Sequence, residues 1–176
     1  AGASTGTINR VQTIAPNLAN YGIVNVKDFG AVGDGVHDDT AAIQAAIDTG
    51  YTVVGKDGDV YYCNSNIMGK GNLVNIHLKF GTRFGISYSA ANAHNIIIKN
   101  CKFEMIGSIT DPTDRGNWWI ALNNVINGIV VDCYFYNFTN NIYFENAENI
   151  TIARNVFEHS FENASDGNGY GVCLVI

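Results

Sequence analysis

"NGIVVDCYF", Asn127 to Phe135, opens on asparagine, alternates apolar positions with others and closes on phenylalanine. Two further stretches align with it without gaps, "NIIIKNCKF" from Asn95 to Phe103 and "NITIARNVF" from Asn149 to Phe157. The aligned positions two apart are Ile96 and Ile98, Gly128 and Val130, Ile150 and Ile152. Such alternation describes strands with one buried face. A shorter copy, "NIHLKF", starts at Asn75, 20 residues before Asn95, and the last two full copies are 22 residues apart. A coil of that length has no room for strand, helix and strand, but suits a solenoid of short strands whose apolar faces are buried by stacking. The asparagines then sit in turns, where their amides can bond along the stack. The expected class is all-β, a right-handed single-stranded parallel β-helix.

The interval from Asn95 to Asn127 is 32 residues, 10 longer than the next. Aligning "NWWIALNNVIN" (117–127) with "TNNIYFENAEN" (139–149) places the excess near "GSITDPTDRG", Gly107 to Gly116. Insertions in solenoids lengthen loops on one face, often the binding face.

Ahead of the repeats stands "VKDFGAVGDGVHDDTAAIQAAID", Val26 to Asp48. Asp38, Asp39 and Thr40 suit a helix N-terminus, Ile43, Ala46 and Ile47 share one face, and Gly50 supplies a left-handed stop. A β-helix exposes apolar surface and unpaired strand edges at its end, and a short N-terminal α-helix with one apolar stripe caps them. "DFGAVGDGVHDDTAAIQAAID" closely resembles the N-terminal signature of the pectate-lyase-like superfamily of right-handed parallel β-helices. That resemblance implies a family frequent in phage tailspikes and tail fibres, and found also among secreted polysaccharide lyases and hydrolases. The small-residue run-up "AGASTGTI" and the absence there of a basic n-region and an apolar h-region favour the phage setting.

Composition narrows the functional classes. The 176 residues are 47% hydrophobic and carry a net charge of −6 with only 10 Lys+Arg, so clustered cations for a nucleic-acid backbone are not expected. No run approaches a membrane span, so membrane insertion is not expected either. Cys63, Cys101, Cys133 and Cys173 lack metal-ligand spacing and read as buried reduced thiols; His37, His77, His94 and His159 are equally scattered. No metal or other cofactor is expected.

The resemblance implies action on polysaccharide, either by hydrolysis with two carboxylates or by β-elimination with a base near C5 and a cation for the uronate. Candidate catalytic residues are Asp111 and Asp114 in the lengthened loop and Glu145 on the strand "NNIYFEN". Candidate substrate-binding residues are Arg115, Trp118, Trp119 and Tyr143, the aromatics offering flat faces with a polar edge. The bland alternatives are turn-shaping by Asp111 and Asp114 beside Pro112, and a merely solvated Glu145 turned outward with Tyr143 while Ile142 and Phe144 face in.

The expected organisation is a connector over 1–24 and a capping helix with β-helix coils over 25–176. "GYGVCLVI" at the end reads as another strand, which predicts further coils beyond Ile176. The functional expectation is a tailspike-like protein of a virion tail, homotrimeric and in contact with other tail components, that binds a bacterial surface polysaccharide, with depolymerisation of it as a further expectation. A secreted lyase or glycoside hydrolase and a non-enzymatic adhesive β-helix are the alternatives.

Overall fold

The computed structural model of the chain describes residues 19–81, 84–88, 94–106, 118–138 and 140–160. The chain winds in successive coils. The first contains β1 (Ile23–Asn25), β2 (Asp34–Asp38) and α1 (Thr40–Asp48). The second has β3 (Thr52–Val54), β4 (Val60–Cys63) and β5 (Ile67–Gly69), and the third β6 (Leu73–Val74), β7 (His77–Phe80) and β8 (Ile86–Tyr88). The fourth has β9 (Ile97–Lys99), β10 (Lys102–Met105) and β11 (Trp118–Asn123), the fifth β12 (Ile126–Val131), β13 (Tyr134–Phe138) and β14 (Asn140–Glu145). β15 (Glu148–Ala153) and β16 (Val156–Ser160) complete the described chain.

Like positions stack into three sheets. The first sheet runs β1-β3-β6-β9-β12-β15, the second β2-β4-β7-β10-β13-β16 and the third β5-β8-β11-β14. The pairings between these strands are parallel. This is a right-handed parallel β-helix, with α1 occupying, in the first coil, the place that a third-sheet strand takes in the next four.

Alternation decides what faces inward. Val53, Leu73 and Ile98 from the first sheet, Leu78, Phe103 and Phe135 from the second, and Ile67, Ile120 and Leu122 from the third are fully buried. Each such side chain contributes about 1.5–3 kcal/mol by leaving water. The phenylalanines that close the repeats form a column, Phe103 on Phe135 at 5.1 Å and Phe135 on Phe157 at 4.9 Å between ring centroids. Gly69 is glycine because a Cβ there would lie 2.5 Å from the buried Tyr88 ring.

Two corners of the coil need left-handed backbone, and asparagine supplies most of it. Asn95, Asn127 and Asn149 have φ of 59°, 62° and 55°. Their amides chain together, Asn127 Nδ2 donating to Asn95 Oδ1 at 3.0 Å and Asn149 Nδ2 to Asn127 Oδ1 at 3.1 Å. The corner between first and second sheets stacks Asn75, Asn100, Asp132 and Arg154, also at positive φ. There Asn100 Nδ2 donates to Asn75 Oδ1 at 2.7 Å, and Arg154 grips Asp132 through both nitrogens at 2.6 and 2.9 Å.

This arrangement corrects the reading of "NIHLKF" as an early copy of the Asn95 repeat. Asn75 stacks on Asn100, 25 residues on, and Leu78 pairs with Phe103. Asparagine marks both corners, so the shorter stretch matched the wrong one.

The helix end behaves as a cap. Ile43, Ala46 and Ile47 are completely buried, and Gly50 at φ 72° bonds back to the Ile47 carbonyl at 3.0 Å. The two aspartates divide their work differently from a simple N-cap pair. Asp38 accepts from the Thr40 amide at 3.1 Å and hydroxyl at 2.5 Å, and the Thr40 hydroxyl, with burial opposing, holds its carboxyl below the usual range. Asp39, only 2% exposed, turns instead to the preceding loop and accepts from the Val32 and Gly33 amides at 2.6 and 2.9 Å. Gly33 has φ 70°, and a Cβ there would strike Asp59 and Tyr61 at 2.8 Å.

Cys63, Cys101 and Cys133 are free and buried, as the spacing predicts, and burial pushes the thiols of Cys63 and Cys101 up. Cys173 lies outside the described residues.

Candidate functional site

The third sheet presents its outer face between two rims of connecting loops. In sequence, 106–117 separate β10 from β11, against three residues (64–66) between β4 and β5, so the ten extra residues come just ahead of β11 in the chain; 107–117 lie outside the described residues. Asp111, Asp114 and Arg115 lie outside the described residues. Trp118 and Trp119 begin β11, with Trp118 in register with Asn140, while their side chains are outside the described part.

β11 and β14 bring the remaining predicted residues together. Ile120, Leu122 and Ile142 point into the core, so alternation puts Ala121, Asn123, Tyr143 and Glu145 on the other face, where Ala121 is still buried, Asn123 and Tyr143 are half-buried and Glu145 is exposed. Ala121 is beside Tyr143 and Asn123 beside Glu145 in the register. The Tyr143 hydroxyl donates to Glu145 Oε2 at 3.0 Å, and Glu145 is exposed. A carboxylate tethered by the tyrosine on its own strand is fixed in direction on an exposed residue. Asn123 was not anticipated. Its side-chain oxygen is buried and accepts no hydrogen bond, a state that costs about 1–3 kcal/mol unless a donor arrives. A sugar hydroxyl is such a donor once the half-buried Asn123 side chain turns towards it, and the amide nitrogen of the same residue can bond a sugar oxygen.

The second sheet carries a denser set of ionisable groups that spacing alone did not bring out. His77 lies beside Lys102, and Lys79 beside Glu104. His77 Nε2 and Lys102 Nζ both reach Glu104 Oε2, at 3.1 and 3.2 Å. Burial, then the Lys102 charge, holds His77 below the ordinary histidine value, with Glu104 opposing. Burial also acts to raise Glu104, but Lys102 and His77 outweigh it and keep the carboxyl below its usual range. Tyr134 bonds Glu158, which pushes the phenol up to about 12. Among the described residues, no three His, Cys, Asp or Glu side chains converge as metal ligands.

Neither set is the paired-carboxylate arrangement of a glycoside hydrolase among the described residues. Glu145 has a tyrosine as its partner, and Glu104 is held by two cations.

Comparison with known proteins agrees with this architecture. Residues 23–71 match the family model described as rhamnogalacturonase A/epimerase, pectate lyase-like. The chain is 73% identical over 37 residues to mannuronan C5-epimerase AlgE5 of Azotobacter vinelandii, a match covering 21% of this chain and 4% of the epimerase. It is 37% identical over 97 residues to plasmin and fibronectin-binding protein A of Streptococcus pneumoniae, covering 54% of this chain and 13% of that protein. The solved structure of the Streptococcus pneumoniae surface protein and adhesin PfbA superposes with a TM-score of 0.60 at 19% identity, over 82% of this chain and 44% of that one. The chain is a parallel β-helix in fold, and its first coils are similar to the pectate-lyase-like family. Its matches span 4% and 13% of those two longer curated relatives.

Proposed function

We propose that the β-helix binds a bacterial polysaccharide on the outer face of its third sheet. The observation that carries this is the group formed by Asn123, Tyr143 and Glu145: an unsatisfied buried acceptor next to a tyrosine-tethered carboxylate, on two adjacent rungs below the lengthened corner. Hydroxyl-rich chains satisfy such groups, and Trp118 and Trp119, in the same strand as Asn123, are the aromatics proposed for sugar rings. The similarity to a mannuronan C5-epimerase and to a plasmin and fibronectin-binding protein is in keeping with a polysaccharide ligand or a bacterial surface.

Within this reading Glu145 acts as a hydrogen-bond acceptor for the glycan, and depolymerisation would require Asp111 or Asp114 to supply a second reactive group. The phage-tail setting and the homotrimer remain parts of the proposal. The test is calorimetric titration of bacterial polysaccharides into the chain and into Tyr143→Phe/Glu145→Gln, with circular dichroism to establish folding. Binding that disappears in the double variant supports the site; equal binding in both removes it. Molecular mass in solution separates a trimeric tail protein from a monomeric secreted one.

A further inference from the structure

Cys101 and Cys133 hold the same place in two successive repeats, "NIIIKNC" and "NGIVVDC". The register sets one above the other. Lys99 pairs with Val131 and Lys102 with Tyr134, the same offset that separates the two cysteines, and the Tyr134 amide donates to the Cys101 carbonyl at 2.9 Å. Neighbouring strands are about 4.8 Å apart, inside the roughly 4.4–6.8 Å between Cα atoms that a disulfide spans. Cys63 has Phe80 beside it in the register instead.

The two sulfurs meet between the coils. Cys101 Sγ lies 3.3 Å from the Lys99 carbonyl oxygen, while Cys133 Sγ lies 3.2 Å from that of Val131 and 3.7 Å from that of Ile98, on the coil that carries Cys101. A hydrogen bond between the thiols holds Cys133 below the usual thiol value against the effect of burial, whereas burial and then that same bond push Cys101 up. Cys133 is therefore the readier nucleophile of the two. Between them in sequence lies the segment that carries the ten extra residues.

We propose that Cys101 and Cys133 form a disulfide that staples the fourth coil to the fifth when the chain folds in contact with a small-molecule disulfide such as oxidised glutathione. The Cys133 thiolate attacks one glutathione sulfur, breaking that S–S bond and releasing one glutathione thiolate. The Cys101 thiolate then attacks the Cys133 sulfur of the mixed disulfide and releases the second. The chain gives up two electrons and two protons, and one oxidised glutathione becomes two reduced ones. Both cysteines are closed to solvent in the folded protein, at 2% and 1% exposure, so the exchange belongs to folding. It precedes the stacking of the next coil, whose Asn155 Oδ1 accepts from the Cys133 amide at 2.9 Å. The link closes a covalent ring around the lengthened corner and removes conformations from the unfolded chain. A chain folded under reducing conditions lacks this brace. The inference is independent of the role proposed for Asn123, Tyr143 and Glu145.

The test refolds the full chain from denaturant in a glutathione redox buffer and, separately, in a phosphine reductant, then alkylates remaining thiols under denaturing conditions. Trypsin separates residues 100–102 from 116–154. Mass spectrometry of the unreduced digest should find these two peptides joined, two hydrogens lighter than their sum, in the glutathione sample alone, with Cys63 and Cys173 alkylated. The linked protein should melt about 5–15 °C above the reduced one, and Cys101→Ala/Cys133→Ala should melt alike from both buffers. Mapping of the parent decides the question even where the double variant fails to fold. Four alkylated cysteines in the glutathione sample, or a link from Cys101 or Cys133 to Cys63 or Cys173, would overturn the proposal, and equal melting of the linked and reduced chains would remove the brace.

Discussion

Gln44 pairs with the backbone of Met68 through both ends of its side-chain amide: the Met68 amide donates to Oε1 at 2.8 Å, and Nε2 donates to the Met68 carbonyl at 3.1 Å. β5 is the edge strand of the third sheet, and its free backbone groups are those that would recruit another chain. One glutamine on α1 therefore continues the sheet's hydrogen bonding where the strand that would have done so is replaced by a helix.

Gln44→Ala should lower stability by about 1–2 kcal/mol, from two hydrogen bonds of ordinary net value, and should increase self-association. Thermal melting with light scattering checks both. An unchanged melt with no scattering would mean that the edge needs no cover.

The apolar side of the same helix is a stronger test of the cap. Ile43→Asp/Ile47→Asp places charges at two completely buried positions, at a cost of several kcal/mol. The double variant should be insoluble or melt far below the parent in differential scanning fluorimetry.

Asp39 and Asp38 should separate cleanly. Asp39→Ala leaves the Val32 and Gly33 amides without their acceptor in a buried loop and should cost about 2–3 kcal/mol in urea unfolding. Asp38→Ala removes an exposed cap and should cost about 1 kcal/mol.

Acidification should act through His77. Its folded pKa lies below the ordinary value of 6.5, so between the two the unfolded chain binds more protons and stability falls as pH drops. The groups facing it are Glu104, Lys102 and Lys79. Melting temperature should decline below about pH 6.5, and His77→Gln should flatten that part of the curve without altering the loss that sets in once the carboxylates protonate.

The lengthened corner carries its own prediction. Replacing 111–115 with a short Gly/Ser turn, or Trp118 or Trp119 with Ala, should preserve the circular dichroism spectrum. Glycan binding should be lost in the first case and weakened by about 1–3 kcal/mol by whichever tryptophan is an anchor.

How much of this was readable in advance follows from the geometry of a solenoid. Alternation within a strand is local, so the last three repeats and their Phe103, Phe135 and Phe157 column could be read directly. The capping helix was equally plain, because Ile43, Ala46 and Ile47 are separated by helical spacing. Contacts between coils are different in kind, since neighbours in space are 22 to 32 residues apart in sequence and the interval changes from coil to coil. His77 and Glu104 are 27 apart and Gln44 and Met68 are 24 apart, so no short motif announces either pair. Asp39 looked like a cap residue because its position was right, and only the approach of the Val32–Gly33 loop reassigns its carboxylate. Tyr143 and Glu145 were recognisable as outward residues of one strand, whereas the buried oxygen of Asn123 depends on what surrounds it.

The most direct measurement of the central claim is a crystal structure of the chain soaked with an oligosaccharide from the polysaccharide that binds it most tightly in solution. The account predicts sugar density along β11 and β14, with hydroxyls within hydrogen-bonding distance of Glu145 and of an Asn123 side chain turned towards the sugar. A sugar bound only elsewhere, with Asn123, Tyr143 and Glu145 untouched and accessible in the lattice, would contradict it.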